Sequence, residues 1–206
     1  MAILQISPTI DYDNDVQIAL SDYQGIKVPK GVSPREPELV SFAKMSQLAP
    51  DKFPAPAGLT VPTDMSVKLD GTWKQIGSNP AQWQFQNGTL QLSVTIAVYV
   101  IEPYRPVKKL FELIMTHEFL HVLDEIEVAT DYLPTELPKD EYVKKYLIDQ
   151  GTVADATYRN WFQGDRFRNY VKDTWVMERN RRGQGRDSGA LYERYKLDIA
   201  KLLPKL

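Results

Sequence analysis

An α+β fold is predicted for this chain: a small, mainly antiparallel sheet, one long helix after it, and a helical C-terminal lobe. Three features of the sequence carry the prediction. Apolar residues alternate with a period of two between Met65 and Val100, the period becomes helical after Pro106, and further helical runs fill the chain beyond Pro138. With 206 residues, of which 43% are hydrophobic, the chain suffices for one globular domain with a sizeable core.

Residues 1–64 hold 8 of the 14 prolines, in stretches such as KVPKGVSPREPE and DKFPAPAGLTVP. Proline fixes φ and removes a backbone donor, so this segment is expected to be extended or loop-like, with one short helix near PELVSFAKMSQLA. Packing against the domain, docking or export, and inhibition as a pro-segment are the roles open to it. Residues 65–206 form the main domain, with sheet and motif-bearing helix in 65–130 and the helical lobe in 131–206. In 65–100, Asp70-Gly71 and Asn87-Gly88 tolerate the positive φ of tight turns and predict two hairpins. Leu90, Leu92, Val94, Ile96, Val98 and Val100 give the last strand one apolar face.

After EPYRP, Leu110, Leu113, Ile114, Leu120, Leu123 and Ile126 make an apolar helical stripe, predicting a helix over about 107–129. DEYVKKYLIDQ, TVADATYRNWFQ, DRFRNYVKDTWVMERN and SGALYERYKLDIAKLL read as later helices, and RNRRGQGR (179–186) as a glycine-broken basic loop.

Charge and composition exclude several classes. A net charge of −2 and a pI near 5.8 argue against a dedicated nucleic-acid binder. The charge is uneven: residues 1–157 hold 13 Lys+Arg against 21 Asp+Glu, and residues 158–206 hold 12 against 6, which suggests two faces or a basic tail. Without cysteine there is neither a disulfide framework nor a thiolate metal site. No apolar run approaches the length of a membrane span, and the N-terminus lacks the pattern of a standard secretory signal. A soluble protein is expected, with compartment unassigned and unconventional export left open.

Both histidines of the chain fall within THEFLHVLDEIE, residues 116–127. On a helix His117 and His121 lie about 40° apart and one turn up, so both rings can reach one metal ion. Glu118 lies about 100° round from His117, where its carboxylate can take a proton from water at that ion. Paired core histidines without metal would bury two imidazoles and a carboxylate, each needing partners. A catalytic zinc site has three protein ligands and an open position. With no further His and no Cys, the third is Asp or Glu. Glu127 would need a turn that normally uses glycine at position 124, where Asp124 stands; Asp131, Glu141 and Asp155 follow.

HEFLHVLD resembles the H-E-x-x-H-x-x-D helix of the zincin metallopeptidases, in particular the anthrax lethal factor and Pro-Pro endopeptidase group; an inner mitochondrial membrane peptidase family shares it but is rich in cysteine. The resemblance covers about 40 residues, and its first eight are the specific ones. It implies a zincin-like fold, Zn2+ as cofactor, His117 and His121 as ligands, Glu118 as general base, and Asp124 as a group orienting a ligating imidazole. Val153-Ala154-Asp155-Ala156 is similar to the small-residue setting of the family's third ligand, with Asp155 in place of glutamate. Tyr158, one helical turn beyond Asp155, is placed to be an oxyanion donor, with aromatic packing the other role open to it. The activity implied is hydrolysis of proteins or peptides bound in extended form. The competing reading is a non-catalytic exported or phage-associated interaction protein with a structural or vestigial metal site.

Overall fold

The computed structural model of the chain describes residues 3–12, 37–52 and 55–203, and within them the fold is α+β. The alternating segment becomes part of two long strands, β3 (Gly58–Ser78) and β4 (Ala81–Ile101), preceded by β1 (Ile3–Tyr12), β2 (Glu38–Val40) and helix α1 (Phe42–Leu48). Ser41 caps α1 by accepting the Lys44 N–H at 3.2 Å.

β4 is the strand on which the sheet is built, pairing with β1, β2, β3 and β5 (Thr152–Ala154). Its alternation is obeyed: Leu90, Leu92, Val94, Ile96 and Val100 are fully buried or nearly so. The expected mainly antiparallel sheet is instead mixed. β5 runs antiparallel to β4, placing Thr152 opposite Gln84, while β2 runs parallel to it, placing Glu38 opposite Tyr99 and Val40 opposite Ile101. β3 and β4 are joined through Asn79-Pro80 alone, too short a link for a parallel crossover, so they run antiparallel. The parallel strand comes from the proline-rich segment, expected to be extended or loop-like, and Val40 in it is buried.

The two expected hairpin turns are corrected. Asp70-Gly71 and Asn87-Gly88 lie opposite one another within the β3–β4 ladder, since a Cβ on Gly88 would stand 2.5 Å from the Asp70 carbonyl oxygen and 2.7 Å from the Gly71 Cα. A Cβ on Gly71 would be 2.6 Å from the Phe85 ring. These glycines therefore admit a close backbone and a buried aromatic, a known use of glycine inside strands. The positive φ falls instead at Gly77 (74°), beside the link at 79–80.

After a 3-10 turn at Glu102–Tyr104 comes α2 (Lys108–Glu127), close to the predicted span, continuing as a π-helical turn at Val128–Tyr132. Short helices follow, α3 (Leu133–Glu136), α4 (Glu141–Val143) and α5 (Asp155–Thr157), then α6 (Arg166–Arg186) and α7 (Gly189–Leu202). The basic stretch 179–186, expected as a loop, is the last part of α6: Gly183 and Gly185 weaken a helix but do not forbid one.

The chain divides into two compact units. One combines Asp64–Val94 and Ile126–Asn180 with the start of β1; the other combines the described parts of Asp11–Thr63 with Thr95–Glu125 and the described parts of Arg181–Leu206. The expected boundary at 64/65 thus falls inside β3, which runs from one unit into the other. Much of the segment for which docking or inhibition was considered, residues 13–36, lies outside the described residues. No helix among the described residues is long and apolar enough to cross a membrane.

Candidate metal centre

The second unit contains both histidines. α2 is buried over most of its circumference between Glu118 and Ile126, and His117 and His121 sit on its less covered side, their side chains 12% and 19% exposed. Their Nε2 atoms converge to 3.2 Å. Both lie 3.1 Å from Oδ1 of Asp187, the residue that follows the last turn of α6. Three donors about 2.0–2.1 Å from one tetrahedral ion lie about 3.3 Å apart, so the triangle observed is nearly one face of such a tetrahedron. Among the described residues His117, His121 and Asp187 are the group that could hold a metal ion, and two imidazoles with one carboxylate suit a borderline divalent ion.

Electrostatics bind the three together. Burial works against ionising Asp187, but the hydrogen bonds with His117 and His121 outweigh it and hold the carboxyl well below its usual range. Burial likewise opposes charge on His121; the hydrogen bond with Asp187 and the charges of Glu118, Asp187 and Asp124 overcome it, so the imidazole is more basic than usual. The second carboxylate oxygen of Asp187 faces Lys52, with Oδ2 at 3.8 Å from Nζ.

Glu118 is 4% exposed. The Thr60 hydroxyl of β3 lies 2.8 Å from its Oε2 and 3.1 Å from its backbone oxygen, giving the carboxylate a fixed partner. Burial pushes the Glu118 carboxyl up, against the opposing pull of His117, His121 and the Thr60 hydrogen bond. β3 approaches α2 this closely because residue 58 is glycine. A Cβ there would stand 2.7 Å from the Glu118 Cγ and the Ile114 Cγ2, and 2.8 Å from the Glu118 Oε1. Gly58→Ala is therefore expected to destabilise the fold by about 1–3 kcal/mol through overpacking, measured by denaturant unfolding of the metal-free protein.

The carboxylate that meets the two imidazoles is that of Asp187, and not that of Asp155, where the third ligand was expected. Asp155 belongs to the other unit, where it accepts hydrogen bonds from the Trp83 Nε1 and the Arg159 Nε, each at 2.7 Å. Glu127, Asp131 and Glu141, the alternatives, are not in the cluster either. Tyr158, expected as oxyanion donor, lies in the same unit as Asp155. It is buried against Trp73 and Trp83, and its hydroxyl accepts from the Gln163 amide at 3.2 Å. The tyrosines beside the imidazoles come from α7: Tyr195 stacks on His117 with ring centroids 4.3 Å apart, and Tyr192 lies 5.6 Å away. Burial first, then the nearby charges of Glu118 and Asp187, raises the pKa of both phenols, so they keep their protons. Asp124 does not hydrogen-bond an imidazole; it receives the Arg186 guanidinium at 3.0 Å from Nη2 and 3.3 Å from Nε.

Asp187, Tyr192 and Tyr195 were not singled out because the stretch before them resembled a solvated basic loop. α6 approaches the motif four residues before Asp187, where a Cβ on Gly183 would make an ordinary contact at 3.8 Å with the His121 Nδ1, so the glycine there is not required and gave no signal. Compared with family models, curated proteins and solved structures, the chain matches none.

Proposed function

We propose that the chain is a zinc-dependent metallopeptidase of the zincin type, hydrolysing proteins or peptides bound in extended form, with Glu118 as general base. One observation carries the reading: three candidate ligand atoms stand 3.1–3.2 Å from one another, and the helix that carries the two imidazoles also carries, between them, a buried carboxylate held by a hydroxyl. His117, His121 and Asp187 would hold the ion. When bound, such an ion supplies Lewis acidity toward a carbonyl oxygen and acidifies water.

The remaining work falls to side chains. Glu118 accepts the proton of the attacking water, and its raised pKa brings it nearer the neutral range, where a general base works best. With Oε2 held by Thr60, Oε1 is the oxygen that takes the proton. Tyr195 and Tyr192, protonated and beside His117, offer hydrogen-bond donors to the charge developing on the former carbonyl oxygen. Protonated Glu118 then returns its proton to the leaving amine.

The test is cleavage of a peptide library by protein loaded with Zn2+, with and without chelator. Cleavage that chelator abolishes and added Zn2+ restores is expected. Tight Zn2+ binding with no cleavage across the library would favour a non-catalytic metal-bearing interaction protein; absence of metal binding would remove both readings.

A further inference from the structure

The pairing of Asp124 with Arg186 places a buried carboxylate of α2 against the residue immediately before Asp187. We infer that this ion pair is a positioning device: Asp124 acts on the metal site through Arg186, by fixing the backbone that presents Asp187. The inference rests on the metal-binding reading of the His117, His121 and Asp187 group.

The geometry supports it from both ends. Asp124 lies three residues after His121 on α2, so the helix that carries the imidazoles also carries this anchor. Its side chain is 4% exposed, whereas that of Arg186 is 38% exposed, so the guanidinium reaches inward from an exposed helix end to a fixed buried acceptor. Both Nε and Nη2 contact it, and two contacts restrict a planar fork far more than one. On the other side of the peptide link, the Asp187 N–H donates to the Gly183 carbonyl at 2.9 Å, the last helical bond at the end of α6. Directly after it the chain turns, with Gly189 at φ +80°. Asp187 thus stands at the last point where α6 holds the backbone. An aspartate has only two side-chain torsions, so its carboxylate position follows its Cα closely. Losing the clamp would let the helix end fray and carry Oδ1 out of the triangle, a displacement of the kind to which preorganised sites are sensitive.

A merely structural ion pair makes a different prediction, because an apolar pair of similar volume can replace a buried ion pair without loss of stability. The decisive protein is therefore the double variant Asp124→Leu/Arg186→Met, an apolar pair of similar volume, compared with wild type and with Arg186→Lys in the full chain. Co2+ serves as the probe, its affinity read by titration of the visible ligand-field bands and the metal-free melting temperature by circular dichroism. The double variant is expected to melt near wild type in the metal-free state, yet to bind Co2+ about 10–100-fold more weakly, with altered band intensities. Arg186→Lys, which keeps the charge but loses the fork, is expected to fall between the two. Wild-type affinity and spectrum in the double variant would overturn the positioning role while leaving the metal site standing. Weakened binding that merely tracks a lowered metal-free melting temperature would overturn it as well. Wild-type protein that gives no Co2+ bands would instead overturn the metal-binding reading on which this one rests.

Discussion

Asp187→Asn is expected to weaken Zn2+ binding by more than about 100-fold, the upper range for loss of a group that only supports a ligand, while Asp155→Asn leaves it unchanged. Competition against a chromophoric chelator measures both. The contrast is sharp because the two aspartates have different partners: Asp187 meets both imidazole Nε2 atoms at 3.1 Å, and Asp155 meets Trp83 and Arg159. The metal-free protein gives a second readout. The Asp187 carboxyl is held below its usual 3.8, so its contribution to stability is present above that value and lost as pH falls further through the lowered pKa. His121 is raised above its usual 6.5, so its contribution is complete below 6.5 and lost as pH rises through the raised value. Wild type should therefore exceed Asp187→Asn in metal-free stability most between about pH 4 and 6.5, with the gap narrowing on either side. Equal weakening of Zn2+ binding by Asp155→Asn would defeat the assignment of the third ligand.

The part of this site that was legible in the sequence is the part carried by one helix. A spacing of four places His117 and His121 on one face whatever the rest of the chain does, and Glu118 comes with them. The carboxylate that joins them, proposed as the third ligand, depends instead on where α6 ends, 66 residues after His121, and no local periodicity encodes that. The basic stretch before Asp187 hid it twice, once by reading as a solvated loop and once because an arginine that anchors on Asp124 looks like any surface arginine. The strands show the same division. Alternation in β4 correctly gave its buried face, since side-chain direction in a strand is local. The turn dipeptides misled, because Asp-Gly and Asn-Gly signal a backbone that can come close as well as one that can reverse. Which use applies at Gly71 is decided by the Phe85 ring, 14 residues away, and by Gly88 on the facing strand.

Glu118→Gln should leave Zn2+ binding near wild type and lower turnover by about 10²–10⁴-fold, the span that positioned acid–base groups contribute. The amide keeps the shape that Gly58 and Thr60 enclose, and its oxygen still accepts from the Thr60 hydroxyl, but it cannot take a proton from water. Kinetics alone would not distinguish a lost base from a disturbed site, so the pH dependence of metal-free stability is the second measurement. Burial raises the Glu118 pKa above its usual 4.5, which means that folding favours the protonated form. Below 4.5 the wild-type residue is neutral in both folded and unfolded chains and carries no such penalty. As pH rises through 4.5 toward the raised folded value, the unfolded state gains charge first and the folded state loses ground, until the penalty is complete above that value. The glutamine has no such dependence. Its melting temperature relative to wild type should therefore shift in the variant's favour across that interval and then level off. A difference that stays flat with pH would mean that Glu118 ionises as freely as a surface carboxylate, and the buried base would lose its physical ground.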